Sequence, residues 1–108
     1  YLALGAAGGW TIPQTILHTI LNVVDFRMGI SDAASGPRFI HRYLRNSIPY
    51  VPGTDISIDK GISDETKKQL ITLGHRIIET NKNGKTLHTV LIDPNTGVLW
   101  GSGGAVTY

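Results

Sequence analysis

Residues 1–24 read YLALGAAGGWTIPQTILHTILNVV, and the order of residue types in this stretch predicts its local structure. The apolar run YLAL leads into GAAGG, and Thr11 and Pro13 then open a segment with helical periodicity. Threonine is a common N-cap and proline fits the first helical turn, so the stretch predicts a strand, a glycine turn and an amphipathic helix ending near Met28 and Gly29. The apolar residues of that helix recur at spacings of three and four and are Ile12, Ile16, Leu17, Ile20, Leu21 and Val24.

The glycine turn, residues 5–9, brings backbone N–H groups to the start of a helix. Such groups, together with the helix dipole, suit a phosphate or the oxyanion of a reaction intermediate. A Walker-type phosphate loop is not indicated, because the Gly-Lys-Ser/Thr ending is absent and no Lys or Arg precedes Arg27. From the residues alone, two interpretations stay open: a structural turn with close packing, or a site for an anion or an oxyanion.

A short second helix is expected in SDAASG, residues 31–36. Ser31 or Asp32 would be its N-cap, and Gly36, which precedes a proline, would end it. The stretch IHRYLRNSIPYVPGTDISID, residues 40–59, contains Pro49 and Pro52 and follows Pro37, so extended or irregular chain is favoured over helix.

Residues 63–75, SDETKKQLITLGH, predict the clearest helix of the chain. Ser63 is the expected cap, acidic residues occupy the first turn where they complement the helix dipole, and Gly74 closes the helix. Its apolar side consists of Leu70, Ile71 and Leu73.

Three strands are expected after that helix, in RIIET, TLHTVLID and VLWGSG. The connections NKNGK and DPNTG contain Asn83-Gly84 and Asn95-Thr96-Gly97, which are typical of hairpin turns. The sequence therefore predicts an α+β fold with an antiparallel strand meander and two main helices. Residues 1–108 are expected to form one unit without an internal domain boundary.

The composition is that of an ordinary globular chain, with 108 residues, 41% of them hydrophobic, and a net charge of +2. This charge is too small to indicate a nucleic-acid-binding surface. The absence of cysteine excludes disulfides, thiolate nucleophiles and cysteine-bound zinc within these residues. No apolar run reaches the roughly 20 residues that a membrane-spanning helix needs, and no localisation follows.

Other polar residues indicate no catalytic group. The four histidines are His18, His41, His75 and His88. They lack HxH or HExxH spacing, so no metal site is predicted, and no serine lies in a G-x-S-x-G motif. The arginines at 38, 42 and 45 would share a helix face, but beside prolines they are more typical of structural ion pairs than of nucleic-acid binding.

The order of motifs resembles the C-terminal part of the small subunit of γ-glutamyltranspeptidases. The stretches that carry the resemblance are residues 5–9 (GAAGG), 14–34, 37–41 (PRFIH), 61–75, 93–97 (DPNTG) and 101–108 (GSGGAVTY). They occur in the family's order over nearly the whole chain, and no single motif carries the match.

This resemblance implies an N-terminal nucleophile hydrolase, a four-layer αββα fold made as a precursor that cleaves itself. In that family an N-terminal Thr attacks a γ-glutamyl amide such as glutathione, its α-amino group serves as base, and the acyl group passes to water, an amino acid or a peptide. The resemblance implies no metal and no cofactor. The family's oxyanion glycines match Gly8 and Gly9, and the implied partners are a γ-glutamyl substrate and the rest of the precursor, not nucleic acid.

Two departures from the family pattern leave alternatives open. Many members have Ser-Pro where this chain has Ala6-Ala7. The nucleophilic Thr is absent, since every threonine here is internal, so the chain alone is expected to be inactive and to be a piece of a longer protein. Such a piece should expose apolar helix and strand faces. The alternatives are a related acylase that cleaves another amide, and a non-catalytic binding or structural module.

Overall fold

The structure is a computed structural model that describes residues 1–43, 52–80 and 86–103. The chain divides into two compact units, Tyr1–Gly36 with Gly84–Tyr108, and Pro37–Asn83. The elements in chain order are β1 (Leu2–Ala6), a 3₁₀ turn (Gly9–Thr11), α1 (Ile12–Val24), α2 (Ile30–Ser35), β2 (Phe39–Tyr43), β3 (Pro52–Asp59), α3 (Asp64–Thr72), β4 (Arg76–Thr80), β5 (Leu87–Ile92) and β6 (Leu99–Gly103). The expectation of one unit without an internal boundary stays a prediction.

The first unit is an antiparallel sheet against which two helices pack. β5 lies between β1 and β6, so that Leu4 lies opposite Thr89 and Leu91 lies opposite Trp100. α1 packs against β1, and α2 packs against β5 and β6. The buried residues at the centre of this packing are Val23, Ile30 and Ala33, and the partly buried residues around them are Leu2, Met28 and Leu91.

The second unit is built around a strand–helix–strand connection. β3 lies between β2 and β4, and it pairs antiparallel with β2 and parallel with β4. Parallel neighbours need a crossover, which α3 supplies by connecting β3 to β4 and packing against β4. Ile56 and Ile58 on β3 are buried.

The predicted α+β class, with antiparallel strands and few helices, is confirmed, but the partner of β4 differs from the expectation. The sequence placed β4 in one meander with β5 and β6, but β4 belongs to the other sheet, because the preceding helix returns it beside β3. The hairpin of β5 and β6 around DPNTG is confirmed. The turn expected at Asn83-Gly84 lies outside the described residues.

α1 begins after Thr11, as predicted, but it ends at Val24, about one turn before the expected end. Arg27 adopts a φ of 52°, a left-handed conformation through which a right-handed helix does not continue. The Met28 N–H donates to the Asn22 carbonyl at 2.9 Å and thereby holds the loop. The apolar periodicity alone did not reveal this break.

The predicted N-cap of α3 is confirmed, and the predicted N-cap of α2 is wrong. Ser63 caps α3 with its side chain, as predicted. The N-cap of α2 is Gly29 rather than Ser31 or Asp32. This earlier start places Ile30 inside the helix, where its side chain is buried in the core, and burial of that side chain outweighs the capping preference of a serine or an aspartate.

Candidate active-site turn

The candidate site is the turn between β1 and α1. Ala7 prolongs the strand, because its N–H donates to the Thr86 carbonyl at 3.1 Å. The chain then turns at Gly8, with φ 132°, and Gly9, with φ 63°. Such angles are costly for residues that carry a Cβ, so glycine suits both positions. Where this chain has Ala6-Ala7, the family pattern to which it is similar often has Ser-Pro. Proline has no N–H, so the hydrogen bond that Ala7 donates to the sheet could not form with proline at that position.

Thr11 braces this turn from the helix side. Its Oγ1 donates to the Gly8 carbonyl at 3.0 Å, and its N–H donates to the same oxygen at 3.4 Å. A Cβ on Gly8 would fall 2.5 Å from Thr11 Oγ1, so the brace leaves no space for a side chain there. Thr11 occupies the predicted N-cap position, but its hydroxyl makes no cap bond and serves the turn instead. The signal for this role is a hydroxyl residue placed just after a glycine turn.

The N–H groups of Gly8 and Gly9 are the candidate oxyanion donors. Within the described part of the chain, neither group donates a hydrogen bond to a protein acceptor. Both precede α1, whose N-terminus carries partial positive charge. Donors that a braced turn holds in place can stabilise a developing oxyanion with little reorganisation. The geometry of this turn therefore suits an oxyanion.

Among the residues that the structure describes, no second site is formed by the other sequence candidates. Over residues 1–43, 52–80 and 86–103, no group of three or more His, Cys, Asp or Glu could hold a metal ion. His88 lies on the exposed face of β5, with Gly5 and Gly103 opposite it on the two neighbouring strands. In the same described ranges, no helix has the length and apolar character needed to cross a bilayer.

Arg38 is buried rather than part of a basic surface patch. Arg38 is only 3% exposed. Its backbone N–H donates to Asp59 Oδ2 at 2.9 Å, and the backbone N–H of Asp59 donates to the Arg38 carbonyl at 2.9 Å. Burial lowers the pKa of the Arg38 guanidinium, and the negative charge of Asp59 opposes this shift. Arg45 lies outside the described residues. Arg38 thus fits the structural role that the sequence favoured.

The gamma-glutamyltranspeptidase family model matches residues 1–105, nearly the whole chain, with its glycine turn and both sheets. The chain belongs to this family. The identification from motif order is thereby confirmed.

Curated relatives of this family member are precursors several times longer than the chain. The glutathione hydrolase proenzyme of Escherichia coli (strain K12) is 28% identical over 102 residues, which are 94% of this chain and 16% of that protein. The acylase ACY 1 proenzyme of Pseudomonas sp. (strain V22) is 24% identical over 100 residues, 93% of this chain and 16% of that protein. The chain therefore spans 16% of the length of these relatives.

Solved structures share the fold. An acivicin-inhibited γ-glutamyltranspeptidase matches with a TM-score of 0.79 at 31% identity, over 96% of this chain and 52% of its own. A mutant γ-glutamyltranspeptidase of Helicobacter pylori gives a TM-score of 0.76 at 31% identity, over 96% of this chain and 53% of its own. A cephalosporin acylase from Bacillus halodurans matches with a TM-score of 0.77 at 23% identity, over 94% of this chain and 18% of its own. At this identity the match shows the fold alone. The predicted membership in the N-terminal nucleophile hydrolase fold is confirmed.

Proposed function

We propose that this chain is part of a γ-glutamyltranspeptidase-like enzyme that cleaves γ-glutamyl amides such as glutathione. The enzyme transfers the γ-glutamyl group to water, an amino acid or a peptide. The nucleophile is an N-terminal Thr carried by another portion of the same precursor. The family membership and the 28% identity to a glutathione hydrolase proenzyme support this reaction class.

In this proposal the Gly8 and Gly9 N–H groups form the oxyanion hole. The observation that carries it is the braced turn, in which both glycines have positive φ and neither N–H is committed to a described acceptor. Removal of one such donor in an acyl-transfer enzyme slows turnover by about two to three orders of magnitude. The turn thus contributes to transition-state stabilisation and supplies no nucleophile.

The reaction proceeds in two steps, acylation of the Thr and deacylation. The Thr hydroxyl oxygen bonds to the γ-carbonyl carbon, its proton passes to the α-amino group, and the carbonyl oxygen becomes the oxyanion that the two glycine N–H groups receive. When the tetrahedral intermediate collapses, the C–N bond breaks and the leaving amine takes the proton. Water or an acceptor amine then attacks the ester, and the Thr hydroxyl is restored.

A matched pair of glycine substitutions tests the oxyanion role in the full-length protein. Gly9 and Gly97 have similar φ values, 63° and 73°, and a Cβ would meet nothing within 4 Å at either position. Gly9→Ala should shift the N–H and lower kcat for a γ-glutamyl anilide by about tenfold to a hundredfold. Gly97→Ala should cost similar stability and leave kcat near the parent value. Equal kcat for both variants would refute the assignment.

Proline is a poor probe at these positions, although it would remove the N–H. The φ values of Gly8 and Gly9 lie far from the proline value of about −65°, so a loss of activity would report a distorted turn. Residues 1–108 alone should show no turnover of the anilide, since they lack an N-terminal Thr. Turnover by this chain alone would contradict the proposed source of the nucleophile.

An acylase that cleaves a different amide is the second candidate. The acylase ACY 1 proenzyme, 24% identical over 93% of this chain, favours it, and so does the Ala6-Ala7 departure. A panel of amides separates the two activities. Preference of the full-length protein for the γ-glutamyl anilide supports the first proposal, and preference for amides without a γ-glutamyl group supports the second.

A further inference from the structure

α1 presents two different faces. The side buried in the first unit consists of Thr15, Thr19 and Val23, and the two threonines are 1% and 0% exposed. A second side carries four aliphatic residues that are 54%, 38%, 37% and 54% exposed; these are Leu17, Ile20, Leu21 and Val24. We call these four residues the outer stripe.

The outer stripe has the spacing of a helix-packing surface. Its members stand at intervals of three, one and three residues, so they form one continuous aliphatic band along the helix. Such bands interdigitate with the side-chain rows of a second helix. A helix whose only apolar neighbour was the sheet would turn its largest aliphatic side chains inward. α1 turns threonines inward instead, so its sequence fits two apolar neighbours.

We propose that the outer stripe is the docking surface for an apolar helix from the portion of the same precursor outside residues 1–108. This inference rests on the proposed function, because it requires that the chain be part of a longer protein. The curated relatives, of which this chain spans 16%, leave ample polypeptide to supply that helix. The stripe carries no charged residue, so a complementary aliphatic face suits it better than a charged peptide.

Cysteine labelling of the full-length precursor tests the proposal directly. Residues 1–108 contain no cysteine, so a thiol introduced there is the only one in its peptide, and peptide mass spectrometry measures its labelling separately from that of any cysteine elsewhere in the precursor. Leu17→Cys and Val24→Cys should react with a maleimide about tenfold or more slowly than Lys68→Cys on the exposed side of α3, and denaturation should abolish the difference. Ile20→Cys and Leu21→Cys are two further probes of the outer stripe and should be protected to the same degree. The test therefore remains valid if one of the variants does not fold.

Two results would overturn the proposal. One is labelling of outer-stripe positions as fast as Lys68→Cys in precursors that are folded by circular dichroism. The other is protection that appears only at high protein concentration, which would assign the surface to a second copy of the chain.

A γ-glutamyl anilide assay on the self-cleaved full-length protein distinguishes failure of the docking proposal from failure of the proposed function. An active protein with an unprotected stripe refutes the docking proposal alone. A protected stripe in a self-cleaved protein without γ-glutamyl activity refutes the proposed function and leaves the docking surface supported.

Discussion

Pro37 lies so close to Gly61 that a Cβ built on Gly61 would fall 2.9 Å from the Pro37 Cγ atom. The residues beside this contact, Arg38 and Asp59, exchange the hydrogen bonds that hold the start of β2 to the end of β3. Two motifs of the family resemblance, PRFIH and the segment that leads into α3, are therefore in direct contact. Glycine at 61 is required by the space that the proline ring occupies.

Gly61→Ala should destabilise the second unit, because the added methyl meets a ring that cannot rotate away. Overpacking of this kind costs about 1–3 kcal/mol. Gly5→Ala is the control, since Gly5 is an exposed residue of β1, a Cβ there meets nothing within 4 Å and its φ lies outside the left-handed region. Denaturant unfolding of the full-length protein, with hydrogen exchange of peptides from β2 and β3, measures the difference. Equal stability of the two variants would contradict the packing role of Gly61.

Thr11→Val should lower kcat, because it removes the hydroxyl that donates to the Gly8 carbonyl while keeping the size of the side chain. A hydrogen bond worth about 1 kcal/mol corresponds to roughly a fivefold loss if it holds the turn in its catalytic geometry. Thr11→Ser keeps the hydroxyl and should retain most activity. Steady-state kinetics with a γ-glutamyl anilide measures kcat and KM of both variants. A change in KM at unchanged kcat would contradict the role of Thr11 in holding an oxyanion turn.

Arg27→Gly should stabilise the protein. Arg27 has a φ of 52°, and removal of its Cβ relieves left-handed strain of about 1–2 kcal/mol. Glycine also has more conformational entropy than arginine in the unfolded chain, which offsets part of this stabilisation. The expected net increase in the free energy of unfolding is about 0.5–1 kcal/mol. Arg27→Ala keeps the Cβ and should change stability little. Thermal unfolding of the full-length variants tests this order, and a gain with alanine equal to that with glycine would exclude backbone strain as the cause.

The Lys67–Glu79 pair should make stability depend on pH in the acid range. Lys67 Nζ lies 2.7 Å from Glu79 Oε1, and this hydrogen bond lowers the pKa of Glu79 below its ordinary 4.5. A carboxylate with a depressed folded-state pKa stabilises the fold above its unfolded pKa, and this stabilisation disappears as pH falls through the folded value. Glu79→Gln should therefore be less stable than the parent at neutral pH, and the difference should shrink below pH 4.5.

Denaturant unfolding at a series of pH values measures this difference. Lys67→Met provides the matched background, because Glu79→Gln should have little further effect once the ammonium group is gone. A parent–variant difference that does not change with pH would contradict the role of the ion pair.

The glycine turn and the N-cap of α3 are features that the local sequence could predict. The strand–turn–helix order, the Ser63 cap and the DPNTG hairpin depend on conformational preferences of neighbouring residues, and these can be read from the chain itself. The family followed from the order of such motifs. The place of Gly8 and Gly9 in a braced turn was predictable for the same reason, although the hydroxyl of Thr11 bonds to the turn rather than to the helix.

Contacts between residues that are distant in sequence could not be predicted from local preferences. The parallel partner of β4, the start of α2 at Gly29 and the contact between Pro37 and Gly61 each depend on packing between segments separated in sequence. Periodicity identified α1 as amphipathic but did not predict that Thr15 and Thr19 are buried. Local preferences are worth a few tenths of a kcal/mol to about one each, and burial of a side chain is worth more, so packing overrides them.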